Sequence, residues 1–194
     1  MKPTKNSSST VWHQVMGRRD FLVAGIVTTV GCLFPYKTNA ALSKLFSADR
    51  KLSFYNTHTG ENIKAVYCEQ GAYVTQALTD INYILRDFRT GEVKEIDTAL
   101  LDLLFTLQQK LDSKGPVHVI SGYRSQETNS LLCGLSNGVA RNSLHIQGKA
   151  IDIRLPGYDL KTLQRMAIEL RSGGVGYYPK SDFVHVDVGR VRYW

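Results

Sequence analysis

Ser143-Leu144-His145-Ile146-Gln147-Gly148-Lys149-Ala150-Ile151-Asp152-Ile153-Arg154-Leu155 changes character at Gly148. Upstream, Cys133 to Ser143 contains two glycines and two asparagines and reads as a loop. Downstream, Lys149 to Leu155 reads as a strand, with Ile151, Ile153 and Leu155 on one face and Ala150, Asp152 and Arg154 on the other. Asp152 therefore points away from the packed face, and His145 sits in the loop that enters its strand. Phe183 to Val188 repeats the alternation, with His185 and Asp187 opposite Val184 and Val186. Two neutral imidazoles and one carboxylate, His145, His185 and Asp152, make a three-ligand set that leaves a fourth zinc position open. That is the pattern of a catalytic rather than a structural zinc site.

The flanking sequence supplies the scaffold. Val117 to Ser121 reads as a short strand running into Gly122-Tyr123-Arg124, and Gln126 to Leu132 as a short helix. Asp159 caps a helix whose stripe is Leu160, Leu163, Ala167 and Leu170, ended by Gly173-Gly174. Val175 to Tyr178 and Phe183 to Val188 then close the chain as two strands around Pro179-Lys180. Nearer the N-terminus, Phe54 to Tyr67 reads as a hairpin turning at Thr57-His58-Thr59-Gly60, with His58 a solvated turn residue. Val74, Ala77, Leu78, Ile81, Leu85 and Phe88 predict a helix over 72–89. Asp97 caps a second, carrying Leu100, Leu101, Leu104, Leu107 and Leu111 and stopped by Gly115-Pro116. Helices followed by short strands, with no βαβ rhythm, predict one α+β domain over 51–194, a mostly antiparallel sheet flanked by helices. Nothing resembles an internal repeat, a low-complexity segment or a Gly-rich phosphate loop.

Residues 1–40 read as a cleaved export signal and 41–50 as a linker. Lys2 and Lys5 lead to Arg18-Arg19-Asp20-Phe21-Leu22, a mostly apolar run reaches Phe34, and Asn39-Ala40-Ala41 offers a small-residue exit. Paired arginines before Phe-Leu resemble a twin-arginine signal, whose cargo crosses already folded. The apolar run falls short of the roughly 20 residues that span a bilayer, so no transmembrane anchor is expected after cleavage. Removing the signal takes five of the 24 Lys+Arg and one of the 17 Asp+Glu, and the net charge falls from +7 to +3. That weakens any case for nucleic acid as a partner and suits an anionic polymer in the periplasm. Cys68 and Cys133 remain in the mature chain and could pair in an oxidising compartment or stay free.

Hydrolysis at such a metal site needs a group to handle the water proton and a cation near the oxygen that becomes an oxyanion. Asp182, three residues before His185, is the candidate base, with Asp187 as its rival or as an orienting group. Arg124 is the candidate oxyanion contact. His118 alternates with Ile120 as a half-exposed strand residue and is left outside the site.

Three motifs then combine. They are Ser121-Gly122-Tyr123-Arg124-Ser125, Ser143-x-His145-x-x-Gly148-x-Ala150-x-Asp152-Ile153, and Gly173-Gly174-Val175-Gly176-Tyr177-Tyr178 through Phe183-Val184-His185-Val186-Asp187-Val188-Gly189. In that order they resemble the M15 zinc peptidases, and within them the exported murein endopeptidases. The likeness runs from the Phe54–Tyr67 hairpin to Arg192-Tyr193-Trp194. It implies one Zn²⁺ on His145, Asp152 and His185, with Arg124, Ser143 and Tyr123 facing the substrate. Several M15 members carry an acid three before the last histidine, as Asp182 is here, but the murein endopeptidase branch does not reliably do so. The implied protein is a monomeric periplasmic hydrolase of peptidoglycan stem-peptide cross-links, favouring the L,D bond between two meso-diaminopimelate residues. A D,D-carboxypeptidase or endopeptidase with the same site, or a zinc-bearing wall-binding module without activity, are the alternatives.

Overall fold

The computed structural model describes residues 49–135 and 138–194, so the export-signal reading of 1–40 and nearly all of the linker lie outside the described residues. Eight strands form one sheet: β1 (Arg50–Asn56), β2 (Asn62–Glu69), β3 (Ala72–Tyr73), β4 (Val117–Ser121), β5 (Ala150–Arg154), β6 (Gly174–Tyr178), β7 (Phe183–Asp187) and β8 (Arg192–Tyr193). Their order is β3-β2-β1-β4-β5-β7-β6-β8. β1 runs parallel to β4 and β6 to β8, while the other pairs are antiparallel. Among the described residues the helices are α1 (Thr75–Ile84), α2 (Thr98–Lys110), α3 (Gln126–Leu135) and α4 (Leu160–Leu170), with a short 3₁₀ turn at Leu144–Gln147. The architecture is α+β, a mixed but mainly antiparallel sheet flanked by helices.

Strand alternation decides what the sheet buries. Leu52, Phe54, Val117, Val119, Ile151, Ile153, Val184 and Val186 are fully buried on one face, together with Leu100, Leu101, Leu104 and Leu107 of α2 and Leu163 of α4. Dry burial of this many aliphatic groups is the main source of stability. The residues between them face the other way. On β5 and β7 these are Asp152, Arg154, His185 and Asp187, and cross-strand register sets Asp152 directly opposite His185. The core therefore fixes where the polar row lies.

Several boundaries differ from the sequence reading, each for a tertiary reason. The apolar spacing over 72–89 is helical only from Thr75 to Ile84; Ala72–Tyr73 is a strand, and Leu85 closes the helix. Leu85 is still fully buried, and its carbonyl accepts a hydrogen bond from Tyr123 N at 2.8 Å. Its apolar character thus serves the core outside any helix. α2 has its Asp97 cap, which accepts from Ala99 N, but it ends at Lys110, ahead of Gly115-Pro116. α3 runs on to Leu135, and β1 starts at Arg50. β8 has two residues, too few to show a period. Cys68 and Cys133 are both free thiols, the first in the core and the second accepting from Asn129 Nδ2 at 3.7 Å.

Candidate metal centre

The His145 turn is built by its own sequence. Ser143 Oγ accepts a hydrogen bond from His145 N at 3.3 Å and caps the 3₁₀ turn. Gly148 ends it at φ +67°, and a Cβ there would stand 2.3 Å from the Glu95 carbonyl oxygen, so only glycine fits. The chain then enters β5 and delivers Asp152. On the neighbouring strand, register delivers His185.

Three atoms converge there. His145 Nε2 lies 3.2 Å from His185 Nδ1 and 3.3 Å from Asp152 Oδ1, and His185 Nδ1 lies 2.8 Å from Asp152 Oδ1. A tetrahedral zinc with bonds of about 2.0–2.1 Å separates its ligand atoms by roughly 3.3 Å. All three residues are buried, and among the described residues they form a group able to hold a metal ion. Their outer atoms are already committed. His145 Nδ1 donates to the Gly122 carbonyl at 2.7 Å, His185 Nε2 donates to Asp187 Oδ2 at 3.1 Å, and Asp152 Oδ2 accepts from Arg124 Nη2. A carbonyl can only accept, so His145 Nε2 must present a lone pair inward. A proton on His185 Nδ1 would serve Asp152 but leave His145 Nε2 unmatched. One divalent cation satisfies all three, so the residues fit a metal.

Electrostatics agree with that fit. Burial opposes charge on Asp152, but His145, His185 and Arg124 outweigh it and hold the carboxyl far below the usual range. Burial likewise lowers the pKa of His145, which favours the neutral, ligating form. Burial also acts against a charged His185, yet its hydrogen bonds to Asp152 and Asp187 outweigh it and raise its pKa. Asp187 is itself fully buried. Its oxygens accept from His185, from Arg192 Nη2 at 2.6 Å, from Gly174 N at 2.9 Å and from Gly189 N at 2.8 Å, which together keep it ionised well below the ordinary value despite burial.

The other candidates from the sequence separate. Arg124 and Ser143 line a cleft of about 380 Å³ together with His145, Asp152 and His185, and Arg124 Nε also donates to Ser121 Oγ at 2.8 Å. Tyr123 is buried and its hydroxyl donates to Glu92 at 2.6 Å, so it is not among the cleft residues. Asp187 stands behind His185 rather than at the cleft. Asp182 is exposed at φ +54° and pairs with Arg154 Nη1 at 2.5 Å, in a neighbouring groove that also contains His118. His58 stacks on Phe88, ring centres 3.8 Å apart.

The wall opposite Arg124 is not found by reading motifs for chemistry. Tyr178, Phe183, Arg192 and Trp194 border the cleft. The Trp194 ring centre is 5.3 Å from that of His185, and its Nε1 donates to Tyr178 Oη at 2.7 Å. The indole lies over Gly176, where a Cβ would approach its ring to 2.7 Å. Arg192 and Trp194 reach the site only because β8 adds beside β6.

The profile of the Peptidase_M15_2 family, described as peptidoglycan L,D-endopeptidase MepK, matches residues 45–194. The chain is 41% identical over 177 residues to the peptidoglycan L,D-endopeptidase MepK of Escherichia coli strain K12, covering 91% of this chain and 96% of that protein. The MepK of Shigella flexneri aligns with the same identity and coverage. A relative from Haemophilus influenzae is 42% identical over 146 residues, 75% of this chain and 78% of its own. A buried His-Asp-His centre on the polar sheet face and a family match across all the described residues lead to one conclusion: this chain belongs to the Peptidase_M15_2 family of M15 peptidases.

Proposed function

We propose that this chain is a zinc endopeptidase of the periplasm that hydrolyses L,D cross-links between meso-diaminopimelate residues of peptidoglycan stem peptides. The observation that carries the reading is the convergence of His145 Nε2, Asp152 Oδ1 and His185 Nδ1, each with its outer atom already bonded. A zinc ion held by them would polarise a peptide carbonyl and make a water molecule acidic enough to react near neutral pH. The protein's own groups do the rest. Gly122, Asp187 and Arg124 fix the orientation of the ligands, and Arg124, at the cleft edge beside Asp152, stabilises negative charge developing on the carbonyl oxygen. Ser143 shapes the His145 turn. Trp194, Tyr178 and Phe183 give the substrate an apolar wall.

The names of the relatives support the L,D bond, and a twin-arginine-type leader supports export. Incubation of the zinc-loaded mature protein with sacculi containing both cross-link types, followed by chromatography and mass spectrometry of released muropeptides, is the test. Loss of L,D dimers is expected. Selective loss of D,D dimers or terminal D-Ala would make it a D,D-enzyme, and no release with zinc bound would make it a wall-binding module.

A further inference from the structure

The polar face of the sheet does not end at the metal ligands. Asn62, Tyr55, His118 and Arg154 are successive cross-strand neighbours over β2, β1, β4 and β5, forming a row beside that of Asp152 and His185. Arg154 is two residues from Asp152 on the same strand face, hence about 7 Å further along. A groove of about 580 Å³, lined by His118, Arg154, Tyr158, Asp159 and Asp182 among others, occupies this position, the Asp159 carboxylate accepting from Thr162 N and Oγ1 of α4. Burial and the Arg154 charge lower the pKa of His118, leaving it neutral at pH 7 and Arg154 the cation of the groove. The Arg154 side chain is 39% exposed and its partner Asp182 is 63% exposed. Ion pairs so open to water contribute little to stability, so another carboxylate can replace Asp182 at small cost. The Arg124–Asp152 pair, at 13% and 4%, is not open to such exchange.

We propose that Arg154 is a specificity-determining residue that binds a free carboxylate of the substrate, with Asp182 as the counter-ion that holds the guanidinium until substrate arrives. This rests on the L,D-endopeptidase reading above. In that cross-link the diaminopimelate giving up the amine carries a carboxylate on the carbon bonded to the scissile nitrogen. A charged group therefore lies a few ångströms from the reacting carbonyl, and a planar guanidinium matches it in a bidentate pair.

The test uses zinc-loaded mature protein and two L,D-linked muropeptide dimers, one with that carboxylate free and one with it amidated. The unaltered enzyme should favour the free acid about tenfold or more in kcat/KM. Arg154→Ala should abolish the preference, raising KM for the free acid while kcat, zinc content and cleavage of the amide change little. Arg154→Lys should keep part of the preference, and Asp182→Asn should lower KM for the free acid. An equal preference in Arg154→Ala and the unaltered enzyme, or no preference in the latter, overturns the inference with the proposed function intact. Failure of the unaltered enzyme to cut either dimer overturns the proposed function, and this inference with it.

Discussion

At the scale of single residues, the site is defined by what each of the three proposed ligands does with its second atom. Replacing His145 or His185 by alanine should abolish stoichiometric zinc binding, since each supplies one of the three inward atoms. Metal analysis of the purified variants checks this, and full zinc content in either would remove that residue from the ligand set. Asp187→Asn keeps an acceptor beside His185 but removes the charge, and should weaken zinc affinity about 10–100-fold, readable by competition with a chelating dye. Asp182→Asn separates two roles. Its carboxylate is engaged by Arg154 outside the cleft, so kcat should stay within a few-fold of the parent with zinc unchanged. A drop of roughly 10²–10⁴ in kcat with zinc retained would instead identify Asp182 as the proton acceptor.

At the scale of elements, two loops are tied by one carboxylate. Asp87, just past α1, accepts from Ser125 N at 2.9 Å and Ser125 Oγ at 2.8 Å, while Ser125 Oγ accepts from Thr128 N in the first turn of α3. Asp87 is almost fully buried, and burial alone would raise its pKa. The hydrogen bonds from Thr128, Ser125 and Arg89 outweigh that and bring it from 3.8 to about 2. A folded pKa below the unfolded one means the stabilisation is fully present above about pH 4 and is lost as the pH falls through about 2. It is worth about 2 kcal/mol. Denaturant unfolding at pH 6 and pH 2.5 should show Asp87→Asn losing much of its deficit at the lower pH, and an equal deficit at both would mean the charge is not what matters. The β6–β8 wall is a second such test. Gly176→Ala must push the Trp194 indole away, and should raise KM for muropeptides while zinc content holds.

At the scale of the whole molecule, the proposed zinc would link metal binding to folding. Zinc bound only by the folded chain adds stability in proportion to the logarithm of its concentration over Kd. Chelation should lower the melting temperature of the unaltered protein and leave His145→Ala, which is expected to lack metal, unmoved. No helix among the described residues is long and apolar enough to cross a membrane. Replacing Arg18 and Arg19 by lysine should leave precursor in the cytoplasm if the twin-arginine route carries the folded protein. Normal periplasmic accumulation would show that the general secretory route suffices.

Sequence alone determined what depends on short-range order. Ile151 and Ile153 alternating with Asp152, and Val184 and Val186 with His185, declare a buried face and a polar face, because side chains in a strand point to opposite sides whatever the partner strand is. Asp97 and Asp159 declare helix starts through local hydrogen bonds to the backbone two or three residues on. The motif spacing likewise picked out His145, Asp152, His185 and Arg124. Tertiary structure decided everything that depends on which strands become neighbours. Only the β5–β7 register brings Asp152 opposite His185, and only the late addition of β8 swings Arg192 and Trp194 to the cleft. Leu85 reads as helix because burial, not helical geometry, made it apolar. Asp182 shows the same limit: three residues from His185 in sequence, it turns at φ +54° toward Arg154, because its direction is set by the β6–β7 turn and not by its distance along the chain.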